Sequence, residues 1–172
     1  MRIITGTLKG RTIPFNNKKF DNADVTTSKM KEALFSALGG SLDGLSFLDL
    51  FGGSGQIGFE ALSRGARVVI NELDKDRFTF IRECAERFKV LDEVVLFNFR
   101  DKLCLRYLSN KEYLFDIIFC DPPYTKDNKG NVTFSRIMHD LIEKKILKNG
   151  GTLVCQYYSK NSLTGVPGSF EH

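Results

Sequence analysis

The chain has 172 residues, of which 42% are hydrophobic and 27% charged, the balance of one soluble globular domain with a sizeable core. No apolar run approaches a membrane span, and the opening MRIITGTLKG lacks the apolar stretch of a signal peptide. The cysteines Cys84, Cys104, Cys120 and Cys155 are scattered and the only histidines are His139 and His172, which argues against a disulfide framework or a metal site and for a reducing cytoplasm. The net charge of +4 is uneven: residues 1–20 hold Arg2, Lys9, Arg11, Lys18 and Lys19 without an acid, so the rest of the chain sums to −1. A basic segment on a near-neutral body points to a polyanion contact, although a solvated basic hairpin has the same composition.

Residues 2–5 and 11–15 are short β-like pieces around Gly6 and Gly10 and read as a small hairpin. Thr26 or Thr27 is placed to cap a helix running to Leu38, with Met30, Ala33, Leu34, Ala37 and Leu38 on one face. Strands and helices then alternate. Strands are expected at Ser46–Phe51, Arg67–Asn71, Val94–Phe97, Phe115–Cys120 and Thr152–Tyr157. Helices are expected at Gly55–Arg64, Lys75–Lys89, Lys102–Leu108 and Val132–Leu147. Such alternation predicts an α/β, Rossmann-like parallel sheet with helices on both faces. In such sheets ligands bind beyond the carboxyl ends of the strands. The polar residues that look out of place all follow strand ends: Gly52–Gly55, Glu72, Asp101 and Asp121–Tyr124.

The glycine loop joins the first strand to its helix, and glycines there allow a tight turn and close approach to a ligand. Glu72 is placed to accept bonds from the two hydroxyls of a ribose. The run Gly53-Ser54-Gly55-Gln56-Ile57-Gly58 also satisfies G-x-G-x-x-G, with an acid about twenty residues on, so a dinucleotide-binding oxidoreductase is a rival reading. Asp49, inside the strand before the turn, counts against it: a carboxylate there suits a cationic ligand such as S-adenosyl-L-methionine and repels a pyrophosphate. Asp101 fits either an adenine contact or a helix N-cap.

After the fourth strand comes Asp121-Pro122-Pro123-Tyr124. Two prolines stiffen the chain where acceptors must be held still. An exocyclic base amine is a poor nucleophile, because its lone pair is delocalised into the ring. The Asp121 carboxylate and the Pro122 carbonyl can each accept one amine hydrogen, freeing the lone pair for methyl transfer, while Tyr124 stacks on the base. The polar stretch Thr125–Thr133 reads as a loop able to close over that base, or as plain surface.

These segments together resemble the RsmD family, bacterial methyltransferases of 16S ribosomal RNA acting on the N2 of a guanine. The resemblance runs from Arg2 to about Tyr158. It covers RIITGTLKGR, TTSKMKEALFSAL (Thr26–Leu38), FLDLFGGSGQIGFEALSRGA (Phe47–Ala66), NELDKD (Asn71–Asp76) and FDIIFCDPPY (Phe115–Tyr124). It implies a class I fold in one methyltransferase domain, 1–172, with a basic hairpin extension (1–25), a core (26–158) and a short tail (159–172). It also implies a methyl-donor pocket shaped by Thr26, Asp49, Phe51, Gly53, Gly55, Glu72 and Asp101, with Asp121, Pro122, Pro123 and Tyr124 on the guanine. Arg2, Lys9 and Arg11 would meet the phosphates of 16S RNA or of a small-subunit assembly intermediate, in a monomer or weak dimer. Three departures stand out. The family's Arg-Pro-Thr reads Asp24-Val25-Thr26 here, Cys84 replaces an asparagine, and the chain reaches His172 without the family's closing strand pair. Two alternatives stay open beside the oxidoreductase: an adenine-N6 methyltransferase and an inactive RNA-binding protein.

Overall fold

The computed structural model describes residues 1–16, 27–123 and 130–156, with backbone alone for 130–134. The expected tail at 159–172 and the expected loss of the closing strand pair lie outside the described residues. Five parallel strands form one sheet: β1 (Ser46–Asp49), β2 (Arg67–Asn71), β3 (Val94–Phe97), β4 (Phe115–Cys120) and β5 (Leu147–Cys155). The helices are α1 (Ser28–Ala37), α2 (Gln56–Ser63), α3 (Lys75–Phe88), α4 (Asp101–Asn110) and α5 (Gly130–Lys144). The strand order is β3-β2-β1-β4-β5, so the winding reverses between β1 and β4. That reversal opens the crevice in which doubly wound sheets bind ligands.

The central strands β1, β2 and β4 are largely apolar because both sheet faces are covered there. Phe47, Val68, Ile70, Ile117 and Phe119 face a core closed by α1, α2 and α3. Leu48, Val69, Phe115, Ile118 and Cys120 face the core closed by α4 and α5.

The first helix corrects the sequence reading. Its inward residues are Lys31 and Phe35, with Leu34 and Leu38 partly buried, while Met30, Ala33 and Ala37 face solvent. Phe35 stacks on Phe47 at 6.4 Å between ring centroids, under the Arg64 guanidinium at 4.7 Å. Lys31 is inward because Glu60 on α2 is fully buried and needs a cation: Nζ lies 3.2 Å from Oε2. Thr27 is the cap, its hydroxyl accepting from the Met30 amide.

The N-terminal hairpin is shorter than expected, a single antiparallel bridge between Arg2 and Thr12. Backbone bonds from Ile3 to Arg11, from Gly10 to Ile3 and in both directions between Met1 and Ile13 join its two sides, and tertiary bonds fix it to the core. The Glu60 carboxylate accepts the Ile4 and Thr5 amides at 2.8 and 3.1 Å, Lys31 donates to the Arg2 carbonyl, and Ser63 bonds both Thr5 and Leu8. Gly6, at φ +83°, lies so close to the Ser63 carbonyl that any Cβ would overlap it.

Two further boundaries move. The last helix ends at Lys144 rather than Leu147, because Lys145 turns left-handed (φ 51°) and Ile146 enters the core and accepts the Phe115 amide. β5 therefore begins at Leu147, and Gly150-Gly151 lie inside it, where the register with β4 shifts. Lys148 closes this irregular stretch by pairing with Asp116 at 2.8 Å.

Candidate active site

The residues that looked misplaced in sequence do meet at the carboxyl ends of the strands. Asp49 ends β1, Glu72 follows β2, and Asp121 follows β4, one strand across from Asp49 at the reversal. Asp49 is buried, and its Oδ2 accepts the Gly58 amide at 3.1 Å, in the first turn of α2. Its other oxygen, Oδ1, is buried without a hydrogen-bond partner among the described residues. Burial pushes the carboxyl up to about 7, the Gly58 bond opposes this, and the nearby charges of Asp121 and Glu72 push it further up.

Glu72 stabilises the glycine loop from the neighbouring strand. Its Oε2 accepts the Gly53 amide at 2.7 Å and its Oε1 the Asp74 amide at 2.8 Å. Burial raises its pKa, and those two amides work against the rise. Gly53 (φ +55°) and Gly55 (φ +76°) both need the left-handed region, and a Cβ on Gly55 would press on the Phe59 ring at 2.9 Å. Gly58 lets α2 lie on β2, since its Cβ would sit 2.4 Å from Ile70 Cδ1. Phe51 is half-buried against the α4–α5 core.

Of the other expected site residues, Asp121 is half-buried, Pro122 buried and Pro123 exposed, while Tyr124 and Thr26 lie outside the described residues. Part of the expected loop, from Gly130 onward, is the start of α5. Asp101 does not cap α4. It is the first residue of that helix, after Arg100, and its carboxylate pairs with Arg136 of α5 at 2.6 Å. Arg2, Lys9 and Arg11 are exposed on the docked N-terminal segment, above buried Ile3, Leu8 and Ile13.

Sequence reasoning passed over two asparagines that brace the crevice. Asn71 donates to the carbonyls of Leu50 and Phe99 and accepts the Phe99 amide, tying the loop after β1 to that after β3. Asn98 donates to the carbonyls of Glu72 and Leu73. An amide side chain at a strand end was the available signal. Cys120 and Cys155, far apart in sequence, are register partners on β4 and β5, and all four cysteines are free thiols.

Asp49, with one buried oxygen unbonded among the described residues and the charges of Asp121 and Glu72 acting on it, suits a ligand with positive charge. The first turn of α2, where a dinucleotide's pyrophosphate would sit, is already met by a carboxylate. The donor set therefore fits S-adenosylmethionine, with its ammonium and sulfonium, and not a nicotinamide dinucleotide.

Comparison with known proteins agrees. The ribosomal RNA small subunit methyltransferase D of Buchnera aphidicola subsp. Acyrthosiphon pisum is 33% identical over 162 residues, spanning 94% of this chain and 80% of that protein. The protein of the same name from Haemophilus influenzae is 35% identical over 126 residues, 72% of this chain and 64% of its own length. The family model described as Conserved hypothetical protein 95 matches residues 1–172. The chain belongs to this family, the RsmD family. Its fold is shared with the solved structure of Escherichia coli yhhF, at a TM-score of 0.79 and 26% identity over 97% of this chain and 86% of that one. The RsmD-family chain is a methyltransferase that uses S-adenosylmethionine, which sets aside the oxidoreductase alternative. Among the described residues no helix is long and apolar enough to cross a membrane.

Proposed function

We propose that this chain methylates the N2 of a guanine in 16S ribosomal RNA, free or within a small-subunit assembly intermediate. One observation carries the base-amine chemistry: the rigid Asp121-Pro122-Pro123 loop leaves β4 at the reversal point, beside the buried Asp49. The ribosomal target is supported by the names of the relatives.

When bound, S-adenosylmethionine supplies an electrophilic methyl group on a sulfonium. The residues of the chain do the rest. Asp49 and Glu72 hold the glycine loop in shape and present negative charge to the donor, and Glu72 would accept the ribose hydroxyls. Asp49, Phe51, Gly53 and Gly55 line the pocket, and the family resemblance assigns Thr26 to the same donor. Asp101, steadied by Arg136, serves the adenine end. Asp121 and the Pro122 carbonyl each accept one hydrogen of the guanine amine, which localises its lone pair toward the methyl carbon. After transfer the nitrogen is cationic, and the Asp121 carboxylate takes its extra proton or passes it to water. Tyr124 stacks on the base. Rate enhancement comes from positioning and fixed charge.

Arg2, Lys9 and Arg11 contact phosphate, on a segment anchored to α2 by Glu60 and Ser63. We read the chain as one domain acting in the cytoplasm, where buried free thiols persist, as a monomer or weak dimer. The test supplies tritiated methyl donor with small subunits, bare ribosomal RNA and duplex DNA, followed by nucleoside analysis. Label in N2-methylguanosine is the expected outcome, and label in N6-methyladenosine overturns the guanine assignment.

A further inference from the structure

Gln156, the residue after β5, has no role in the chemistry described so far. Its backbone amide donates to the Cys120 carbonyl at 2.9 Å, extending the ladder beyond the Cys120–Cys155 pair and setting Gln156 beside Asp121. Side chains alternate along a strand, so residues two apart share a face. Phe47, Phe119 and Val154 pack toward α1, α2 and α3, whereas Cys120 and Cys155 pack toward α4 and α5. Asp49, Asp121 and Gln156 each lie two residues beyond a member of the first set. All three therefore belong to one face, at the same end of the sheet. The Gln156 carbonyl oxygen Oε1 is buried and has no hydrogen-bond partner among the described residues.

An orphaned buried acceptor is costly unless something completes it. A guanine whose N2 hydrogens are taken by Asp121 and Pro122 presents one more donor on the same edge, N1–H. Adenine, offering N6, carries a bare acceptor at that neighbouring position. We infer that Gln156 is a specificity-determining residue, its Oε1 accepting the N1–H of the target guanine and rejecting adenine by meeting its N1 lone pair. The inference rests on the guanine reading proposed above. It divides the work on the base between two strands: β4 activates the amine, and β5 identifies the ring that carries it.

Single-turnover methylation of small-subunit ribosomal RNA by the full chain tests this, with wild type, Gln156→Leu and Gln156→Glu compared. S-adenosylhomocysteine binding and the thermal midpoint are recorded for each. Gln156→Leu is expected to lose roughly 10- to 100-fold in kcat/KM, the effect of one lost buried hydrogen bond, with donor affinity unchanged. Gln156→Glu keeps an acceptor and is expected to stay within a few-fold of wild type. A Gln156→Leu rate equal to wild type, at unchanged donor affinity, would overturn the acceptor role.

A second arm uses wild type alone and so does not depend on a variant folding. 2-Aminopurine, ligated into the RNA at the mapped position, keeps the amine and lacks N1–H. Wild type is expected to lose on it what Gln156→Leu loses on guanine, and Gln156→Leu to lose nothing more. Equal rates of wild type on guanine and 2-aminopurine overturn the inference while leaving the function standing. A wild type that labels no guanine N2 overturns both.

Discussion

Asp49 offers the most direct test of the pocket, because its burial predicts a measurable pH dependence in the free chain. The carboxyl rises from 3.8 to about 7, chiefly through desolvation. A folded pKa above the unfolded value means that the protonated carboxyl favours the folded chain fully below pH 3.8. That advantage is lost as pH rises through about 7. The interval spans about three pH units at ~1.4 kcal/mol each, or roughly 4 kcal/mol of stability given up between acid and neutral pH. Asp121 and Glu72 share this field, so the observed midpoint belongs to the cluster. Asp49→Asn keeps the shape and an acceptor for Gly58 but cannot ionise.

Urea unfolding from pH 5 to 8.5 compares the two chains without ligand. The wild type should lose stability relative to Asp49→Asn across pH 5 to 7, with a slope approaching ~1.4 kcal/mol per pH unit. Above that range Asp49→Asn should be the more stable. The ranking reverses for ligand. A cationic donor analogue stabilises the ionised carboxylate, so wild type binds it more tightly as pH rises to about 7 and releases a proton as it binds. Asp49→Asn should bind about 10-fold or more weakly at pH 8 and show no such proton release, measured calorimetrically in buffers of different ionisation enthalpy. Parallel pH profiles for the two chains, together with equal affinities, would refute both the buried-charge account and its place in the donor pocket.

Three other outcomes are expected. Asp121→Ala should reduce methyl transfer by about 100-fold or more while S-adenosylhomocysteine binding stays near wild type, and near-native turnover would exclude the amine-acceptor role. Glu72→Ala should weaken donor binding, because it frees the Gly53 and Asp74 amides as well as removing a charge from the pocket, and calorimetry reads this directly. Lys31→Met should destabilise the chain by about 3 kcal/mol or more, since Glu60 loses a partner it cannot replace with water. A thermal midpoint unchanged from wild type would show that Arg64 alone suffices for Glu60.

Local order could be read directly from the residues. Short apolar runs alternating with helical stretches located all five strands, and β2, β3 and β4 occupy the expected bounds. Strand-end polarity also pointed to Asp49, Glu72 and Asp121, because a carboxylate at the rim of an apolar strand has few structural reasons to be there. Those signals are local, and local patterns survive whatever the rest of the chain does.

The remainder depended on contacts between distant residues. An apolar stripe suggested the wrong inward face for α1, since periodicity cannot foresee that a buried Glu60 draws a lysine inside. The strand expected from Thr152 reaches back to Leu147 across Gly150-Gly151, because pairing with β4 continues across the shift. Asp101 fitted a cap until Arg136, 35 positions on, took its carboxylate. Cys120 meets Cys155, and the Gln156 amide reaches the Cys120 carbonyl, only because β5 lies against β4. Sequence carried the chemistry of single side chains. The sheet alone decided which of them share a face, because strand order and register are set by long-range pairing that no local window contains.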